Sequence, residues 1–182
     1  MDKHRNYYID MDGVLVVYDR DAYTGDDPLF ARKNAHYYRN LEPDRKMLEF
    51  VDNIYNKSRY TGDNIYILTS LPNNGAIFNE QFHDKITWVK QWLPYLDIDN
   101  ILISVTSKRD AVEYIHNHTL TKNDILIDDY NKNLCEWRDA CGTAIKYCNG
   151  INDHKSFSGP YFAENITVND MLSYIDSIFD TV

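Results

Sequence analysis

The chain has 182 residues, 43% hydrophobic and 14% aromatic, which suits one α/β domain with a sizeable core and argues against a disordered chain. Its 28 acidic and 19 basic residues leave a formal charge of −9, which argues against polymeric nucleic acid as a partner. A small phosphate ester stays open, because a bound divalent cation reverses the sign inside one pocket.

No apolar run approaches the roughly 18 residues of a membrane span, and no signal peptide is read, so a cytoplasmic protein without a membrane partner is expected. Cys135, Cys141 and Cys148 lack CxxC spacing and are expected as reduced thiols.

The first apolar run, Tyr7–Ile9, stops at Asp10 and reads as a strand. Residues 18–41 then break the rhythm, polar at first and aromatic later at Phe30, Tyr37 and Tyr38. Coming straight after a strand, this segment is expected to rise over the carboxyl edge of the sheet as a small cap. Pro43 opens a helix over Asp44–Asn56, where Met47, Leu48, Val51, Ile54 and Tyr55 recur at three- and four-residue spacing. Ile65–Leu68 is the second strand. A helix over Phe78–Leu93 follows, with Phe78, Phe82, Ile86, Val89 and Leu93 on one stripe and Pro94 as its stop.

Ile101–Val105, Ile125–Ile127 and Thr143–Tyr147 read as further strands, and Ser107–His116 and Val168–Phe179 as further helices. Uninterrupted apolar strands suit a parallel sheet covered on both faces, and the alternation of strand and helix predicts a doubly wound, Rossmann-like α/β fold. The expected organisation is one domain over residues 1–182 with the cap at 18–41.

Four strand ends carry reactive groups. Asp10-Met11-Asp12-Gly13-Val14 places acids at i and i+2 where both can face one pocket, and Gly13 permits a sharp turn. Two close carboxylates either share a proton or hold a cation, and both states serve phosphate chemistry. Thr69 and Ser70 bring hydroxyls that can donate to phosphoryl oxygens. Thr106-Ser107-Lys108-Arg109-Asp110 follows the third strand with cations for phosphate charge. Asp128-Asp129 ends the fourth, where oxygen donors with no neighbouring His or Cys suit magnesium better than zinc. Each pattern alone also reads as an Asp-Gly turn, a helix cap or a surface lysine. Independent ordinary features rarely fall at four successive strand ends in this order.

In this order, from Tyr7 to Tyr130, the four elements resemble the haloacid dehalogenase (HAD) superfamily of aspartate-nucleophile phosphotransferases. More narrowly, several segments resemble the 5′(3′)-deoxyribonucleotidase family. They are Asp10-Met11-Asp12-Gly13-Val14-Leu15 with Tyr18, Leu41-Glu42-Pro43, Leu68-Thr69-Ser70, Lys85-x-x-Trp88-Val89 and Leu126-Ile127-Asp128-Asp129. The resemblance implies that Asp10 attacks phosphorus, while Asp12 protonates the leaving alcohol and then activates water. It further implies magnesium on the Asp10 carboxylate, the Asp12 carbonyl and Asp129, with Asp128 in support. Thr69, with Ser70 beside it, and Lys108 would bind the phosphoryl group.

Arg109 follows the lysine here, where the family tends to place an arginine before it, so either can be the phosphate cation, with Lys108 ranked first. Lys85 is a third candidate, equally readable as a snorkelling helix lysine. Tyr18, Tyr37 and Tyr38 match the family's base and sugar pocket, and read equally as cap-to-core packing. The segment from Gly13 to Leu41 is shorter than the family's four-helix cap.

A magnesium-dependent phosphatase of (deoxy)nucleoside monophosphates is therefore the expected function, with a sugar phosphate as the alternative substrate. A non-catalytic phospho-acceptor module is disfavoured, since the third strand ends in Thr106-Ser107 with no acid before Asp110.

Overall fold

Strand β1 (Asn6–Ile9) lies at the centre of one sheet, flanked by β2 (Asn64–Ser70) and β4 (Asp124–Asp128). With β3 (Ile101–Ser104), β5 (Thr143–Tyr147) and β6 (Tyr161–Phe162) the strand order is β3-β2-β1-β4-β5-β6, and every pairing is parallel. The chain, a computed structural model, is described over residues 4–17, 36–71, 75–152 and 156–180. The helices are α1 (Arg45–Thr61), α2 (Gly75–Trp92), α3 (Lys108–His116), α4 (Asn131–Asp139) and α5 (Val168–Asp180). This is the doubly wound α/β fold expected from the alternation.

The strands are buried on both sides, and their alternate residues divide between two cores. Tyr7, Ile9, Ile65, Ile67, Ile125, Ile127 and Ile145 join Met47, Phe50 and Val51 of α1, Trp88 and Val89 of α2, and Met171 of α5. Tyr8, Leu68, Leu102, Leu126 and Ala144 face the other way and join Val112 of α3 with Leu134 and Trp137 of α4. Helices α1, α2 and α5 thus cover one face and α3 and α4 the other.

Strand β2 extends past the expected Leu68 to Ser70, and β3 stops at Ser104, one residue short of Val105. Several other ends shift by one residue, and four larger departures follow. Helix α1 runs to Thr61, past Asn56, because Lys57–Thr61 is polar but helix-compatible; the stop is Gly62, at φ +78°, whose N–H bonds Ser58 O at 2.8 Å. Helix α2 starts at Gly75, ahead of Phe78. Helix α4 was not expected: Asn131–Asp139 is polar apart from its buried anchors Leu134 and Trp137. The two-residue β6 is too short to carry a period. Among the described residues no helix is long and apolar enough to cross a membrane.

Candidate active site

Beyond β1 the chain winds around one carbonyl. The N–H groups of Val14, Leu15 and Val16 all donate to Met11 O, at 3.3, 2.9 and 3.0 Å. Leu15 O accepts from Asp44 N at 2.8 Å, which ties the loop to the start of α1, and Asp44 caps that helix through Met47 N. This fixed loop holds Asp10 and Asp12 at the carboxyl edge of the sheet.

Asp10 is 5% exposed. Its Oδ1 takes both the Lys108 ammonium, at 2.6 Å, and the Met11 N–H, at 2.8 Å. Lys108 also donates to Asp128 Oδ2 at 2.7 Å. Ser107 caps α3 through Asp110 N, and Lys108 is therefore the first helical residue, aimed inward. Asp128 accepts further from Tyr130 N at 2.8 Å and Asn133 Nδ2 at 2.9 Å, so its oxygens serve to fix Lys108 and the loop.

Lys85 comes from the other face. It donates to Asp12 Oδ2 and, at 2.6 Å, to Thr69 Oγ1; Thr69 in turn reaches Asp12 Oδ2 at 3.3 Å. Asp12 Oδ1 is buried and has no hydrogen-bond partner among the described residues. The Lys85 ammonium also lies 4.3 Å from the centre of the Tyr38 ring, a cation–π contact.

Asp129 is held by two asparagines: Asn149 Nδ2 and Asn152 Nδ2 each donate to its Oδ2 at 2.7 Å, and Asn149 bridges to Gly13 O at 2.7 Å. Gly13 is at φ +79°, and a Cβ there would stand 2.3 Å from Asp129 Oδ2. Lys146, 1% exposed, donates to Asp129 O and Asn131 Oδ1, both at 2.7 Å.

Four carboxylates (Asp10, Asp12, Asp128, Asp129) therefore meet two ammonium groups paired with them (Lys85, Lys108), with Lys146 on the Asp129 backbone carbonyl, a formal excess of negative charge. Burial pushes Asp10 well above the ordinary carboxylate range; Lys108 opposes this, while Asp128, Asp12 and Asp129 reinforce it. Burial, with Asp128 beside it, likewise raises Asp129 to about 6, against the two asparagine hydrogen bonds. Burial would lower Lys108, but Asp10 and Asp128 outweigh it and keep the ammonium charged.

Oxygen atoms of Asp10, Asp128 and Asp129 lie within 4.8 Å of one another, a hard all-oxygen set that fits a divalent cation such as magnesium. The excess charge and the two raised carboxyls favour the same occupant.

The sequence candidates divide accordingly. Asp10, Asp12, Thr69, Lys85, Lys108, Asp128 and Asp129 come together. Arg109 does not: its side chain is 41% exposed and paired with Asp110, because the first turn of α3 turns it outward as Lys108 turns in. Ser70 is half-buried and follows Thr69 in β2, so pleating aims it at the opposite face. Tyr38 is 8% exposed and packs on Lys85, and Tyr37, half-buried, meets it edge-on at 5.2 Å. Tyr18 and cap residues 18–35 lie outside the described residues. Sequence reading missed Asn149, Asn152 and Lys146. Asn149 stands two residues past the end of β5, and the same rule of strand ends points to it.

No family model matches the chain, and no curated protein matches it. Solved structures do. D,D-heptose 1.7-bisphosphate phosphatase from B. bronchiseptica, complexed with magnesium and phosphate, aligns with TM-score 0.61 at 10% identity, over 94% of this chain and 99% of that one. A hydrolase from Pseudomonas syringae aligns with TM-score 0.58 at 12% identity, over 96% and 99% of the two chains. A HAD-superfamily hydrolase from Ehrlichia chaffeensis aligns with TM-score 0.57 at 12% identity, over 98% and 99%. None of these three is described as a deoxyribonucleotidase. At such identities the likeness is one of fold, which the chain shares with these hydrolases, and its own acidic cluster lies at the carboxyl edge of the sheet.

Proposed function

We propose that the protein is a magnesium-dependent phosphomonoesterase that works through a phospho-aspartate on Asp10, with (deoxy)nucleoside monophosphates as substrates. The observation that carries this reading is the Asp10 carboxylate itself. Its Oδ1 is committed to Lys108 and Met11 N–H, which orients Oδ2 for attack, with Asp129 beside it as a second metal ligand.

Asp10 Oδ2 forms a bond to phosphorus as the ester P–O bond breaks. Asp12 gives its proton to the departing alkoxide, then takes one from the water that hydrolyses the acyl phosphate, and free phosphate leaves. The unpartnered Asp12 Oδ1 is the oxygen that carries this proton. Lys85 and Thr69 bind the phosphoryl oxygens, and Lys108 opposes the burial that disfavours the ionised form of Asp10. Asp10, Asp129 and the Asp12 carbonyl would hold magnesium, which would supply neutralisation of the phosphate charge.

The nucleotide preference rests on two segments that match the deoxyribonucleotidase pattern and touch here: Trp88 Nε1 donates to Leu41 O at 2.7 Å. The link binds the end of the 18–41 segment, read as the cap of this single domain, to the helix bearing Lys85. Of the two described pocket tyrosines, Tyr37 is less buried than Tyr38 and keeps some surface on which a base can stack.

Phosphate release from nucleoside monophosphates and sugar phosphates, with magnesium and with chelator, tests this. Magnesium-dependent release favouring deoxynucleotides is expected. Equal release from sugar phosphates overturns the nucleotide preference, and release that persists in chelator overturns the metal.

A further inference from the structure

Away from the acid cluster, His36, Glu80 and Asp84 converge on one point. We propose that these three side chains form a second metal site, for a divalent transition ion of the zinc class.

Glu80 and Asp84 are four residues apart on α2, so one helical face presents both carboxylates. His36 approaches from the chain just before the Tyr38–Asn40 turn. Its Nδ1 lies 3.1 Å from Asp84 Oδ1, and its backbone N–H donates to Glu80 Oε1 at 3.2 Å. One donor atom from each residue lies within 4.8 Å of the other two. Donors about 2.0–2.2 Å from a tetrahedral zinc ion stand about 3.3–3.5 Å apart. The imidazole and Asp84 are already near that spacing, and Glu80 closes the set by turning its terminal torsions.

The donor types select the ion. An imidazole with two carboxylates suits zinc and its neighbours, whereas magnesium prefers oxygen donors alone. The Asp84 side chain is 6% exposed and that of His36 53%, so the acid is nearly dry while the imidazole side gives the ion access from solvent. A carboxylate buried opposite a half-exposed imidazole is incompletely compensated, and a dication completes it. The bound ion would pin the chain leading to Tyr38 onto the helix that carries Lys85, one residue past Asp84. The proposal does not depend on the phosphatase reading.

The test uses the full chain stripped by chelator, carrying Asp129→Asn to disable the first metal site, in excess magnesium. Zinc is titrated by calorimetry and cobalt by visible absorption. One equivalent is expected to bind and to raise the melting temperature. Adding His36→Ala or Glu80→Gln should abolish both effects, while His83→Ala, an exposed histidine on the same helix, should change neither. Absence of a bound equivalent would overturn the proposal. So would its survival in His36→Ala and Glu80→Gln, or its equal loss in His83→Ala.

Discussion

Lys85 and Lys108 reach the Asp10–Asp12 pair from opposite faces of the sheet. Lys85, on α2, grips Asp12 and Thr69; Lys108, on α3, lies 2.6 Å from Asp10 and 2.7 Å from Asp128. The two acids of one short loop thus have separate cations in separate environments, which suits one acid for attack and the other for proton transfer.

Unequal costs follow from that division. Lys108→Met strands Asp10 and Asp128 in the dry interior and should lower stability by about 3–5 kcal/mol. Lys85→Met should cost less, about 1–3 kcal/mol, because the Asp12 side chain is 19% exposed and water can partly replace the ammonium. Urea unfolding in chelator measures both. Equal costs would contradict the division, and Asp10→Asn placed in the Lys108→Met background should recover part of the larger loss.

Gly13→Ala should weaken magnesium binding. The added Cβ would stand 2.3 Å from Asp129 Oδ2 at a backbone φ of +79°, so Asp129 must move. Displacing a ligand support costs about 10–100-fold in metal affinity. Calorimetric magnesium titration reads the effect, and wild-type affinity in the variant would place the metal elsewhere.

The pH dependence of stability has a definite sign. Asp129, raised from 3.8 to about 6 by burial and by Asp128, binds its proton more tightly when folded than when unfolded. Its contribution is therefore present below pH about 4 and lost as pH rises through about 6, on the order of 3 kcal/mol at about 1.4 kcal/mol per unit. Asp10, raised well above the ordinary range, acts in the same direction. In chelator the melting temperature should fall between pH 4.5 and 7, and magnesium should offset the fall, since it binds the ionised form. Asp129→Asn should flatten the chelator profile; an unchanged slope would remove Asp129 from this account.

Asp12→Asn should slow alkyl phosphates most, by about 10²–10⁴-fold, and nitrophenyl phosphate least, because a good leaving group needs no proton. Equal losses on the two substrates would count against Asp12 as the general acid.

The parallel sheet was legible because Ile65–Leu68, Ile125–Ile127 and their companions are short apolar runs that stop at polar residues. The site was legible for a related reason: Asp10, Thr69 and Asp128 stand where those runs stop. Lys85 was ambiguous, since helical position alone does not say whether a lysine snorkels outward or turns in to meet a carboxylate 73 residues earlier in sequence. Arg109 and Lys108 differ only by the helical rotation that the Ser107 cap sets. Asn149, Asn152 and Lys146 act through contacts between distant segments, for which no local period exists. The same holds for the pairing of His36 with Glu80 and Asp84.

The most direct measurement is to quench a single turnover of a labelled phosphomonoester in acid, reduce with borohydride, and map the modified residue by mass spectrometry. A magnesium-dependent modification at Asp10 is expected, absent together with turnover in a folded Asp10→Asn variant. Turnover with no modified aspartate, or undiminished turnover in Asp10→Asn, would contradict it.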